Sequence, residues 1–152
     1  MRAYIPLSLP ALRQLRDGEH HETGNAYAVT EQLCQSHGVE PEDSELAEFI
    51  AMTEAARSAA AELGDDLGGA VVVIAAADVE FSPSAEGLLG EVLLSGPLGL
   101  KTIASFHVAD GADVAATVSD GGSFDAADLA WWAVQELPDL IHHIESKGRP
   151  HG

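Results

Sequence analysis

Between residues 41 and 64, apolar positions recur at three- and four-residue steps: Leu46, Phe49, Ile50, Thr53, Ala56, Ala60 and Leu63. That spacing is one face of an amphipathic helix. Pro41 suits a first helical position and Gly64 a C-terminal cap, so "PEDSELAEFIAMTEAARSAAAELG" predicts one long helix. Its alanine-rich end allows close approach to a sheet. Further on the pattern changes. "AVVVIAAADV" at 70–79 is apolar on both alternating faces and predicts a central strand covered from both sides. "SFHV" at 105–108 alternates instead, with Phe106 and Val108 on one face and Ser105 and His107 on the other.

Shorter patterns fill the gaps. "RAYIP" at 2–6 predicts a strand ended by Pro6, and Ser8 caps a helix over "LPALRQLRDG" that stops near Gly18. "NAYAVT" at 25–30 has the content of a strand, after which Thr30 caps a short helix through Cys34 to Gly38. A Pro/Ser/Gly loop leads to a strand, "EVLLS", at 91–95; "LKTIA" fits helix or strand, and "ADVAATVSDGG" predicts a short helix stopped by Gly121 and Gly122. At the C-terminal end Asp125 is the expected cap of a helix, with Asp128 near its positive end. This helix runs to about Leu137, where Pro138 kinks it or starts a second one. On its surface Trp132 shares a face with Leu129, and Trp131 shares another with Val134. Trp132 is therefore the expected buried indole and Trp131 the rim residue.

Strands and helices mix without strict alternation, so the expected fold is α+β: one domain over residues 1–146, with residues 147–152 a frayed tail. The expected sheet is mixed, has about four or five strands and is covered by helices, with a Trp-bearing helical unit at the C-terminal end.

Composition narrows the partners. The 25 acids against 7 bases give a net charge of −18, which repels nucleic-acid backbones and anionic membrane surfaces and favours basic partners. The acids are dispersed, densest at Glu40, Glu42, Asp43, Glu45 and Glu48, and form no tail. Cys34 is the lone cysteine, so no disulfide or paired-cysteine metal motif forms within the chain. No signal peptide is read in "MRAYIPLSLP" and no apolar run is long enough to span a bilayer, which points to the cytoplasm.

Chemical motifs are sparse. Phosphate-binding glycine loops, a serine nucleophile elbow and the H-E-x-x-H zinc motif are all lacking, and the Asp/Gly runs do not match a calcium loop. Cys34 reads as a small hydrophobe rather than a nucleophile. His107, with Asp110 three positions on, has the residue types of a carboxylate-oriented imidazole. Beyond Pro138, Asp139 lies one helical turn before His142 and His143, the weak candidates for a metal; their charge complements the end of a helix dipole equally well. No metal or other cofactor is expected.

The segments "MRAYIP", "AYAVT", "SFHVAD" and "DLAWWAVQELPDL" together resemble an uncharacterised family of small acidic actinobacterial proteins. Its members open with M-R-x-Y-[IV]-P and close with an aromatic pair followed by Q-E-[IL]-P-D-L. The resemblance implies an actinobacterial, cytoplasmic origin and transfers no catalytic role. It draws attention to Gln135, Glu136 and Pro138. The leading expectation is a non-enzymatic interaction or regulatory module with a protein partner, or a homodimer, held through Trp131, Trp132, Gln135, Glu136 and Pro138. The alternative is a small enzyme or ligand binder with a polar pocket near His107, Asp110, Glu136 and Asp139. An acidic mimic of nucleic acid is a third class, resting on charge alone.

Overall fold

The computed structural model describes residues 1–22, 26–40, 42–84, 90–119 and 129–147. In chain order its elements are β1 (Arg2–Leu7), α1 (Leu9–Arg16), β2 (Ala26–Tyr27), α2 (Glu31–His37), α3 (Ser44–Leu63), β3 (Val71–Asp78), β4 (Phe81–Pro83), β5 (Glu91–Leu94), β6 (Ile103–Asp110), α4 (Gly111–Ser119), β7 (Ala130–Ala133) and α5 (Leu137–Lys147). The strands form one seven-stranded sheet ordered β4-β5-β2-β1-β3-β6-β7. Every neighbouring pair is antiparallel.

The double coverage expected of β3 is explained by its alternation. Val73, Ala75 and Ala77 face a core completed by Leu12 and Leu15 of α1, Phe106 of β6, and Leu137, Leu140 and Ile141 of α5. Val72, Ile74 and Ala76 face the opposite core, built from Tyr4, Tyr27, Leu33 and the α3 residues Ile50, Ala51, Met52, Ala55 and Ala56, with Val114 of α4. The α+β class therefore takes the form of an antiparallel sheet between two helical layers. Small side chains at Ala51, Ala55 and Ala56 let α3 lie close over the alanines of β3. Leu46, placed in the apolar stripe by spacing, is exposed instead, and burial on α3 centres on residues 50–56.

Two expectations about the sheet need correction. It is not mixed and does not have four or five strands: β2 spans two residues and β4 three, too few for a period to register. Pro6 does not end β1 either. It lies opposite Ile74 in the β1–β3 ladder, while β2 meets β1 at Tyr4, so no donor is required of Pro6 on its other side.

The C-terminal unit also differs. The tryptophans do not lie on a helix; they lie on β7, paired with β6. Tryptophan suits strands, and an available sheet margin overrides a helical pattern only four positions long. After β7 comes a 3-10 turn, Val134–Glu136, and Pro138 then sits in the first turn of α5, where a missing N–H is harmless. Asp125, Asp128, Pro41, Gly121 and Gly122, each given a capping or stop role above, lie outside the described residues. Ser8, Thr30 and Gly38 do cap: Ala11 N–H donates to Ser8 Oγ at 3.3 Å, Leu33 N–H to Thr30 Oγ1 at 3.1 Å, and Gly38 takes φ 64°.

Candidate functional site

Strand alternation turns Ser105 and His107 towards α3. There the Ser105 Oγ and His107 Nε2 stand 3.1 Å apart, the donor being set by the imidazole tautomer. β1 brings Arg2 and Tyr4 to the same face, β3 brings Ala76 and Asp78, and the first turns of α3 lay Glu45, Glu48, Phe49 and Met52 above them. These residues enclose a cavity of about 520 Å³. Arg2 and Asp78 are directly opposite in the β1–β3 register, and the guanidinium donates from Nε and Nη2 to the two carboxylate oxygens at 3.0 and 3.3 Å.

Two groups in the cavity titrate abnormally. Burial, reinforced by the negative charges of Glu48 and Asp78 and partly offset by Arg2, pushes the Tyr4 phenol up to about 12. Burial and the neighbouring Arg2 charge hold His107 below the ordinary histidine value. The shift favours the neutral imidazole. Only 4% of Tyr4 is exposed; its hydroxyl, which makes no hydrogen bond to the described residues, is open to the cavity that the residue lines.

The proposed pocket residues are not all brought together. Asp110 stands at an odd step from His107 and so points to the other side of β6. Glu136 is occupied locally: its Oε1 accepts the Ala133 N–H at 2.8 Å. Since alanine has no side-chain acceptor, this is the glutamate half of a capping box. Asp139 is exposed in the first turn of α5, the helix that covers the opposite face of the sheet. Of the four, His107 alone lines the cavity. Arg2, Tyr4, Glu45, Glu48 and Asp78 were missed. Tyr4 and Arg2 were legible as the non-aliphatic phase of "RAYIP", but Asp78 and the glutamates needed the register and the seating of α3.

The tryptophans part company across the sheet. Trp131 lies opposite His107 on the cavity side, just beyond its lining, and is 63% exposed. Trp132 lies opposite Phe106 on the other side and packs against the core beneath α5. Its ring meets His143 at a centroid distance of 5.7 Å and a tilt of 37°. Gln135, Pro138 and His142 are exposed. Among the described residues no group of three or more His, Cys, Asp and Glu side chains is placed to hold a metal ion.

Elsewhere the buried Glu54 carboxylate is met by Arg57 at 3.7 Å and by His37 at 3.9 Å, which ties α2 to α3. Cys34 is half-buried on α2. A second cleft of about 660 Å³ lies at the far end of β1, lined mainly by apolar side chains such as Leu7, Leu9, Leu12, Leu63, Val71 and Ile144. Arg13 and Glu145 pair at 3.5 Å among its lining residues. It is larger than the His107 cavity, but none of Tyr4, Tyr27 and His107, the side chains whose titration burial perturbs, lines it, and the polar convergence is at His107.

The profile of a family of unknown function, DUF6912, matches residues 1–141. The chain belongs to that family. No curated protein matches it, and neither does any solved structure. In this DUF6912 chain the matched region takes in every cavity residue, both tryptophans, Gln135, Glu136, Pro138 and Asp139. It ends one residue before His142. No helix of the described DUF6912 residues is long and apolar enough to cross a membrane.

Proposed function

We propose that residues 1–146 form a non-enzymatic binding module of the cytoplasm, which docks a basic protein partner on the β7 margin around Trp131. The observation that carries this reading is the 63% exposure of Trp131 on an end strand of the sheet, beside a cavity rimmed by glutamates. An exposed indole offers a large rigid contact, the commonest kind of interface anchor. The net charge of −18 favours a basic partner and disfavours polyanions. Among the described residues the His107 ring is hydrogen-bonded to Ser105, and none of the described hydrogen bonds joins it to a carboxylate, the third member that activates a serine nucleophile through its base.

Site-specific crosslinking tests the reading. A photoreactive residue replacing Trp131 is expected to capture a discrete basic protein, whereas the same residue replacing Leu93, 57% exposed on β5, is not. Capture of a second copy of this chain would identify a homodimer and overturn the basic-partner reading. Equal products from both positions, or none from position 131, would remove the docking surface altogether.

A further inference from the structure

We infer that the cavity beneath the start of α3 is a receptor for one organic cation, an alkylammonium or guanidinium group on a short apolar stem. Its charge points that way. Arg2 is engaged by both oxygens of Asp78, and the neutral form of His107 is favoured, so Glu45 and Glu48 set the sign of the mouth. These glutamates are three residues apart on α3 and therefore share a helix face. The interior supplies acceptors: the Tyr4 and Ser105 hydroxyls and the His107 ring. Tyr4 provides an independent sign of a ligand: its side chain is almost wholly buried, yet its hydroxyl makes no hydrogen bond to the described residues and stays open to the cavity, free to pair with what enters it.

Shape and softness agree with the charge. Phe49 and Met52 form an apolar wall suited to a methylene stem, and the Tyr4 ring adds a face that attracts cations. A volume of about 520 Å³ is within the range of small-molecule sites and generous for one basic side chain. A bare metal ion fits poorly, since among the described residues no three His, Cys, Asp or Glu side chains are placed to ligate one ion. An anion would have to displace Asp78 from Arg2.

The cation has two possible sources, a free amine or a basic side chain of a docked protein, and the cavity does not depend on the docking surface proposed above. Isotope-detected NMR titration of the full chain separates these cases. The probes are spermidine, n-butylamine, and the blocked amino acids N-acetyl-arginine and N-acetyl-lysine methylamide, with butyrate as the anionic counterpart. Saturable cation binding is expected, with resonances of Tyr4, Ser105 and His107 moving and butyrate inert. The E45Q/E48Q variant should bind roughly five- to tenfold more weakly, because two exposed rim charges are removed. Tyr4→Phe should weaken binding with the fold intact. The D65N/D66N variant, altered on the 3-10 turn Gly64–Gly69, should bind as the parent does.

Stronger binding of the free amines supports a metabolite, and stronger binding of the blocked amino acids supports a partner's side chain. Equal losses in E45Q/E48Q and D65N/D66N would reduce the effect to diffuse attraction and overturn the proposal. So would butyrate binding as well as butylamine, or cations that bind without moving the Tyr4 and His107 resonances. Cation binding that survives when crosslinking at position 131 fails would leave the receptor standing and sink only the docking surface.

Discussion

Tyr4 and His107 stand on neighbouring strands across one cavity, and burial moves their titrations in opposite directions because it disfavours the charged form of each. For Tyr4 the protonated phenol is the favoured state, with a folded value of about 12 against 10.0 in the open chain. Its contribution to stability is complete below pH 10 and is lost as pH rises towards 12, over which the linkage amounts to about 2–3 kcal/mol. Urea unfolding at pH 9 and 11.5 is expected to show this loss, and Tyr4→Phe should remove the Tyr4 share, the Tyr27 phenol, also raised by burial, carrying a loss of the same sign; an unchanged slope in the variant would place the alkaline sensitivity elsewhere. His107 has the reverse sign. Its folded value lies below 6.5, so the unfolded chain takes up the proton first and stability falls as pH drops from 6.5 towards the lowered value. An NMR midpoint for His107 at or above 6.5 would contradict the buried, Arg2-facing placement. The alternation of "SFHV" already put His107 on the side away from Phe106 and beside Ser105, but its other cavity neighbours, from Arg2 to Asp78, come from distant chain segments that no local spacing encodes.

At the level of elements, the tryptophan pair illustrates how a local pattern can name the right side chain through the wrong periodicity. Read as a helix, Trp132 follows Leu129 and Trp131 follows Val134; on β7 a period of two sends the indoles to opposite faces outright. Trp132 meets the core and the His143 ring, so Trp132→Ala is expected to cost about 2–4 kcal/mol in urea unfolding, whereas Trp131→Ala should alter stability by less than about 0.5 kcal/mol. Comparable losses from the two variants would mean that the exposed indole is covered in solution. Gly111 is a second case. Within "ADGAD" it reads as turn chemistry, yet it opens α4 with its N–H donated to Ala70 O at 2.9 Å, and an added Cβ would lie 1.6 Å from the Leu67 carbonyl oxygen. That contact involves backbone, which cannot rotate away. Gly111→Ala must push α4 off the 3-10 turn Gly64–Gly69, and a loss of about 2–4 kcal/mol is expected from unfolding measurements; an unchanged midpoint would contradict this close approach. Only the folded chain brings Leu67 to Gly111, so the requirement for glycine could not be read from its neighbours.

Over the whole molecule, antiparallel pairing joins chain segments too short to signal themselves, while the long elements were legible: α3 and β6 from their apolar periodicity, and β3 from an unbroken apolar run buried on both faces. The net charge of −18 acts on all of them together. With 25 acids and 7 bases, few carboxylates can be paired, and the ion pairs at Arg2, Arg13 and Arg16 are substantially exposed and worth little each. Folding compresses the unpaired acids, so self-repulsion should outweigh pair attraction. Raising sodium chloride from about 0.02 M to 0.3 M shortens the screening length from roughly 20 Å to 6 Å and is expected to raise the melting temperature by several degrees. The same salt should weaken binding of cationic probes, because it screens the attraction to Glu45 and Glu48 as well. Stability and affinity would then move in opposite directions along one salt titration. If the melting temperature fell instead, the few arginine pairs would be outweighing the surplus acids, and the charge could no longer be treated as a load that folding bears and a basic partner relieves.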